Sequence, residues 1–282
     1  MRTVPRMIWG LQIPDTLFLI AGSGRYPGLV IEEARKAGVG RIVAAVFEGE
    51  TDPETIAAAD QAHPLRVGQL GKLLVAAKSS GASVGMMAGQ IAPKNLFDLR
   101  PDVKTLVLLA RLKRRNAETL FGAVAGQLAT VGVHLLPGTT FLEDHLAREG
   151  LMAGPKPKER VLEDIRFGFS IAKESSRLDI GQSVVVKNGT VLAVEAFEGT
   201  DECMARGGRL GRGGAILVKV TKPGQDMRLD VPIIGVRTLE VAKEAGISIL
   251  AVESGQTLLL DRPVVCAQAA RRGLTLYGTR PS

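Results

Sequence analysis

Apolar positions in the first half of the chain fall into short unbroken runs separated by periodic stretches. Leu17-Phe18-Leu19-Ile20-Ala21 is continuous and ends in Gly22-Ser23-Gly24, which predicts a strand buried on both faces that stops at a glycine turn. After Pro27, apolar residues recur at helical spacing over 29–37, up to Gly38. The alternation then repeats. Residues 41–47 read as a strand, 55–59 as a short helix, 65–67 as a brief third strand, 70–79 as a helix closed by Gly81, and 83–88 as a further strand. Residues 104–110 suit either strand or helix, 118–131 read as helix and 133–137 as strand. Strand, helix, strand at this spacing predicts a parallel, Rossmann-like sheet with right-handed crossovers.

The pattern changes near Gly150. Gly154-Pro155-Lys156-Pro157-Lys158 reads as a linker, which suggests a nucleotide- or phosphate-binding domain over 1–150 and a mixed α+β domain over 151–282. A charged amphipathic helix over 158–176 leads to two β-branched runs joined by Asn188-Gly189, the strongest hairpin signal in the chain. Glycine is dense over 207–214, and a strand follows at 215–220. Beyond Pro232 come a helix at 238–245, strands at 248–252 and 257–260 about a turn at Ser254-Gly255, and a helix at 262–272. The fold class expected is therefore α/β, a parallel sheet domain followed by one with at least one antiparallel pair.

Composition narrows the partners. The 282 residues can bury a substantial core, and low aromatic content with 33 glycines leaves that core to Val, Ile, Leu and Ala. A net charge of +7 favours an anionic partner. With one Trp, two Tyr and no nucleic-acid module, nucleic acid is not expected. Cys203 and Cys266 have neither metal-ligand nor disulfide spacing and read as inert thiols in a reducing compartment. His63, His134 and His145 are scattered. The apolar stretch 7–20 is broken by Pro14 and Asp15, and no run is long enough to span a membrane, so a cytoplasmic protein is expected.

Four places could carry chemistry. Lys219-Val220-Thr221-Lys222-Pro223-Gly224-Gln225-Asp226-Met227-Arg228-Leu229-Asp230 packs two lysines, two carboxylates, an arginine and an amide beside an apolar strand. Pro223 and Gly224 break a helix there, and Pro232 argues against one after Gln225. If extended, Asp226, Arg228 and Asp230 point to one side, where two carboxylates could hold a hard divalent cation and the arginine could grip phosphate. A strand edge of paired charges would look the same. Gly22-Ser23-Gly24, after a buried strand and before a helix, suits an anion, though it matches neither a Walker loop nor G-x-G-x-x-G. Gly68 with Lys72, and Gly89-Gln90 within 88–92, also follow strands and would open at the same carboxyl edge. Glu198-Gly199-Thr200-Asp201-Glu202 could add an acidic ligand, or could simply cap the next helix through Thr200 or Asp201.

In this order, Ala21-Gly22-Ser23-Gly24-Arg25-Tyr26-Pro27, Gly68-Gln69-Leu70-Gly71-Lys72, Asp179-Ile180-Gly181-Gln182-Ser183, Ala193-Val194-Glu195-Ala196-Phe197-Glu198-Gly199-Thr200-Asp201 and the 219–232 stretch resemble the UDP-2,3-diacylglucosamine pyrophosphatases of the alternative lipid A pathway. The likeness runs from Leu17 to Gly278.

The resemblance implies hydrolysis of UDP-2,3-diacylglucosamine to UMP and 2,3-diacylglucosamine 1-phosphate (lipid X), with water attacking the α-phosphorus and a divalent metal, Mg²⁺ or Mn²⁺, assisting. It also implies a homodimer at the cytoplasmic side of the inner membrane, with peripheral membrane contact. On this reading Asp226 and Asp230, with Asp201, hold the metal, and Lys219, Lys222 and Arg228 offset charge in the transition state. Gly22, Ser23, Gly24, Gly68, Lys72, Gly89, Gln90, Thr200 and Gln225 bind substrate. Two other classes remain. A nicotinamide-dependent oxidoreductase would hold the ribose through an acid near the second strand, where Glu48 lies. A non-catalytic sugar-nucleotide or lipid-binding protein would keep the pocket without a catalytic metal.

Overall fold

The structure, a computed structural model, describes residues 7–8, 11–91, 101–112 and 117–280. Residues 9 and 10 of the apolar 7–20 stretch, and Ala92 at the end of the second glycine motif, lie outside the described residues. The chain divides into two compact units, Met1–Leu142 with Asp226–Asp230, and Glu143–Gln225 with Val231–Ser282.

The first unit opens with a small antiparallel pair, β1 (Met7–Ile8) and β2 (Leu11–Gln12). Its main elements are β3 (Thr16–Ala21), α1 (Arg25–Ala37), β4 (Arg41–Phe47), α2 (Pro53–Ala58), β5 (Gln61–Leu65), α3 (Leu70–Ser80), β6 (Val84–Ala88), α4 (Val103–Arg111), α5 (Ala117–Thr130) and β7 (His134–Leu135). The five longer-range strands form a parallel sheet in the order β5-β4-β3-β6-β7. Five of the six residues of β3 are buried, as an unbroken apolar run at the centre of a sheet covered on both faces requires. Phe18, Ile20, Val43 and Ala45 pack with Leu73, Leu74 and Leu128 from α3 and α5.

Three sequence expectations shift here. The first helix starts at Arg25, ahead of Pro27, because a proline in the first turn gives up no intrahelical hydrogen bond. The third strand is Gln61–Leu65 instead of 65–67. It lies at the sheet edge, where Pro64 is tolerated. The ambiguous 104–110 run is helical, nucleated by Asp102, whose carboxylate accepts from the Thr105 N–H at 2.8 Å.

The second unit contains β8 (Gly150–Ala153), α6 (Glu159–Arg177), β9 (Ser183–Lys187), β10 (Thr190–Val194), α7 (Thr200–Gly211), β11 (Ala215–Lys219), β12 (Ile233–Ile234), α8 (Val236–Glu244), β13 (Ile247–Glu253), β14 (Leu258–Leu259), α9 (Arg262–Arg271) and β15 (Thr275–Thr279). Its mixed sheet runs β10-β9-β11-β13-β15-β8, with a small parallel pair of β12 and β14 beside it. Strand alternation separates two cores. Val184, Val186, Ile216 and Val218 face Ile165, Phe169 and Ala172 of α6, while Val185, Leu217, Leu250 and Val252 face the side lined by α7, α8 and α9. Asn188 and Gly189 both take positive φ, 51° and 70°, as a primed hairpin turn demands.

Residues 200–202 and the first part of the glycine-dense stretch belong to one helix, α7, and Gly213 and Gly214 follow it. Gly199 stands at its N-cap, so neither Thr200 nor Asp201 caps it. Gly208 lets α7 approach the end of α8, since a Cβ there would lie 1.7 Å from the Ala245 carbonyl oxygen. Cys203 on this helix is fully buried, and burial followed by the nearby Glu195 charge pushes its thiol up to about 12, consistent with an inert thiol.

Candidate active site

The first unit's sheet changes direction between β3 and β6, neighbours in space that β4 and β5 separate in sequence. Ligands of open α/β sheets bind outside the carboxyl ends of strands at such a point. Both strands end in glycine turns there, and the turns are fastened together. The Gly22 N–H donates to Ala88 O at 2.8 Å, the Ser23 N–H to Gln90 O at 2.8 Å, the Gln90 N–H to Ser23 O at 3.2 Å, and the Ser23 hydroxyl to Gln90 O at 2.8 Å. A Cβ on Gly22 would meet Gln90 backbone at 2.7 Å, and one on Gly89 would meet the Ser23 carbonyl at 2.7 Å, so both glycines are required by close approach. The amides of Gly22, Ser23 and Gln90 are thus engaged within the protein. At the start of α1, Gly24 caps without a side-chain bond and the first turn carries no acid, features of a helix end that suits an anion.

Residues 226–230 form a turn within this same unit. The expectation of an extended segment fails here, because the Asp226 carbonyl accepts from the N–H groups of Leu229 at 2.9 Å and Asp230 at 3.2 Å. A single helical turn can close before Pro232 because that ring constrains only the residue ahead of it. Leu229 packs against the first unit's core, and the Met227 carbonyl accepts from the Gly138 N–H at 2.6 Å. Tyr26, buried, donates its hydroxyl to the Gly138 carbonyl; burial, with the Asp230 charge adding to it, holds the phenol well above its usual range. Arg228 forks onto both Asp226 oxygens, Nε at 2.9 Å and Nη2 at 2.6 Å, and those bonds hold the Asp226 carboxyl below the usual carboxylate range despite partial burial.

A second cluster lies in the second unit. Lys219 at the end of β11 donates to the Thr200 hydroxyl at 3.2 Å, Thr200 donates to Glu195 Oε1 at 2.9 Å, and the buried Ser183 hydroxyl stands 3.3 Å from that of Thr200. Glu195 Oε2 is buried without a hydrogen-bond partner among the described residues. With the Thr200 proton directed to Glu195, a Thr200 lone pair faces the lysine ammonium. Beyond β11 the loop is braced by Glu253, 6% exposed, whose Oε2 accepts from the Thr221 N–H at 2.8 Å and hydroxyl at 2.6 Å and from Lys173 at 2.7 Å. Lys222 then pairs with Asp179 at 2.8 Å, and its N–H donates to Gln225 Oε1 at 2.8 Å.

The structure therefore joins Gly22, Ser23 and Gly24 with Gly89 and Gln90, joins Asp226, Arg228 and Asp230, joins Lys219 with Thr200, and joins Lys222 with Gln225. Gly68 has its carbonyl occupied by the Asp102 N–H and the Thr105 hydroxyl, at 3.0 and 2.6 Å. Lys72 is exposed on α3, in a groove shared with His63, Pro64 and Val75. Asp201 belongs to the second unit, within 3.8 Å of Arg237, whereas Asp226 and Asp230 belong to the first. Among the described residues no group of three His, Cys, Asp or Glu could hold a metal ion. Asp226 and Asp230 stand four residues apart in one turn, joined through the backbone, and both Asp226 oxygens accept from Arg228. Glu195 and Glu253 escaped sequence reasoning. Glu195 precedes the 198–202 stretch by three residues and was readable as part of it, but the burial of Glu253 in an apolar strand carried no signal.

A switch-point sheet with a phosphate-suited helix start, joined to a mixed α/β unit bearing a lysine–hydroxyl–carboxylate cluster, defines a two-unit α/β protein equipped for an anionic ligand. Models of the LpxI N-terminal domain and the LpxI C-terminal domain match residues 16–145 and 148–277, and the chain belongs to the LpxI family. It is 32% identical over 279 residues, 94% of this chain and 98% of the relative, to the UDP-2,3-diacylglucosamine pyrophosphatase LpxI of Caulobacter vibrioides. Among solved structures, the biotin carboxylase domain of Hydrogenobacter thermophilus 2-oxoglutarate carboxylase is 14% identical, with a TM-score of 0.27 over 64% of this chain and 36% of that one. The gox2253 structure is 11% identical, also with a TM-score of 0.27, over 94% of this chain and 89% of that one. Both scores are too low to support an argument.

Proposed function

We propose that this chain hydrolyses the pyrophosphate of UDP-2,3-diacylglucosamine to UMP and lipid X, with water attacking the α-phosphorus. End-to-end similarity to the Caulobacter pyrophosphatase carries the reading. Within the first unit, the helix start at Gly24 and the Arg228 guanidinium each suit an anionic oxygen; within the second, Lys219 and Lys222 do.

In the reaction, an oxygen–phosphorus bond forms from water to the α-phosphorus, the bond to the bridging oxygen breaks, and that oxygen leaves with lipid X. Lys219, held by Thr200 and Glu195, and Lys222, fixed by Asp179, offset charge as it moves to the leaving oxygen. Arg228 keeps Asp226 ionised and its own planar fork oriented. Asp226 and Asp230 of the first unit are the residues we assign to a divalent ion; Asp201, in the second unit beside Arg237, is not assigned to it. When bound, Mg²⁺ or Mn²⁺ supplies Lewis-acid charge against the pyrophosphate oxygens. The reading carries with it a homodimer in the cytoplasm, in peripheral contact with the inner membrane.

The oxidoreductase alternative finds no support in the comparisons, and Glu48, its ribose-holding candidate, forms an ion pair with Arg66 at 2.8 Å. The test is UMP release from UDP-2,3-diacylglucosamine with and without chelator. Release that stops on chelation and returns with Mg²⁺ is expected. No release under any condition would refute the activity, and full release in excess chelator would refute the metal.

A further inference from the structure

The helix α4 presents an apolar stripe to solvent. Val103 is 75% exposed, Leu106 52% and Val107 46%, and their spacing puts them on one side of the helix. Thr105 is the helix residue that is buried, and Leu108 is the one that packs against the core. Lys104 and Arg111 are exposed at the two ends, and no acid lies within the helix. At nine residues the helix is about 14 Å long, too short to cross a bilayer. Among the described residues no helix is long and apolar enough to do so.

We propose that α4 is a membrane-surface helix, which lays Val103, Leu106 and Val107 into the interface of an anionic lipid bilayer while its lysine and arginine meet the headgroups. Short basic helices with one apolar face bind in this way, through apolar burial and attraction to anionic lipid together. Charge selects the bilayer over a second copy of the chain. Helix against helix, two such faces would bring only cations to their shared rim, whereas an anionic surface complements every charge on it. The helix is also anchored at its start. The Asp102 N–H and the Thr105 hydroxyl donate to the Gly68 carbonyl, and Asp102 accepts from the Gly71 N–H at 2.6 Å, so α4 is fixed to the loop that follows β5 and to the first turn of α3. The inference deepens the proposed function and rests on it for the lipid nature of the substrate.

The experiment is flotation of the full-length chain with vesicles of phosphatidylglycerol and phosphatidylcholine, or of phosphatidylcholine alone, at low and high salt. Wild type should float with the anionic vesicles, more weakly at high salt, and stay behind with neutral ones. Leu106→Glu with Val107→Glu should lower the bound fraction about tenfold or more, and Lys104→Gln with Arg111→Gln should lower it in the anionic arm. Thermal unfolding of each variant checks that the exposed changes leave the fold intact. Wild type that stays behind with both vesicles, or variants that float like wild type, would overturn the proposal. So would light scattering in which Leu106→Glu with Val107→Glu turns a dimer into a monomer, since the face would then be a contact between copies. UMP release in detergent micelles is a separate readout. It should be unchanged in these variants, and its absence in wild type would refute the proposed activity while the flotation result still decides the membrane helix.

Discussion

Arg228 and Asp226 form the tightest charged pair in the candidate site, and their consequence is chemical more than structural. Both are partly exposed, at 49% and 28% for the side chains, so the pair adds little stability. What it fixes is the ionised state and direction of a carboxylate beside the exposed Asp230. Asp226→Ala or Asp230→Ala is therefore expected to lower kcat far more than it raises KM, because the contribution should be largest as charge builds in the transition state. Steady-state kinetics decide it, and near-normal turnover in either variant removes that residue from the site. Glu195→Gln keeps the shape of the Lys219–Thr200–Glu195 chain but makes the final group neutral and able to donate. We expect kcat to fall about tenfold or more with little change in unfolding temperature. A variant with unaltered kcat would leave Glu195 a purely structural acceptor. At this scale the sequence revealed which residue types gather in 219–230, because charge was dense beside an apolar strand. It did not reveal that the backbone of Ser23 and Gln90 would satisfy each other, since that bond joins residues 67 apart.

Elements were legible where one local rule dominated. The Asn188-Gly189 hairpin and the buried run of β3 follow from turn chemistry and from an uninterrupted apolar stretch. The helix α7 was obscured because its glycines argue against helix locally and are demanded by close packing, a property of the folded neighbour that the segment itself does not encode. The strand β15 (Thr275–Thr279) was missed for a similar reason, its slot between β13 and β8 being set by the sheet. Gly208→Ala would drive a Cβ into the Ala245 carbonyl, and helix propensity cannot offset that overlap. Urea unfolding should show a loss of about 1–3 kcal/mol or more, and an unchanged midpoint would mean the helices shift apart freely. The junction of α3 and α4 makes a pH prediction. Burial raises the Asp102 carboxyl, but donors from Thr105 and Gly71 outweigh it and the net shift is downward. A depressed folded value stabilises above the unfolded one, near about 4, and that contribution is lost as pH falls through the folded one. The stability gap between wild type and Asp102→Ala should be widest at neutral pH and close in acid. A gap that stays constant down to about pH 2 contradicts this.

For the whole molecule, the proposed attack on the α-phosphorus is told from attack on the β-phosphorus by isotope, because either gives the same products. Hydrolysis in ¹⁸O-labelled water should place the label in UMP and leave lipid X unlabelled, as read by mass spectrometry. Label in lipid X would refute α-attack even if the substrate stands. The division of the molecule has one further consequence. Asp226–Asp230 leaves the second half of the chain to complete the first unit, supplying Leu229 to its core and a carbonyl to Gly138. A gene fragment encoding only the N-terminal family domain, residues 16–145, would lack both, along with the acidic turn itself. The two halves are therefore not interchangeable cassettes. Recombination that paired this first half with a foreign second half would have to import a matching five-residue insert, which ties the inheritance of one half to that of the other.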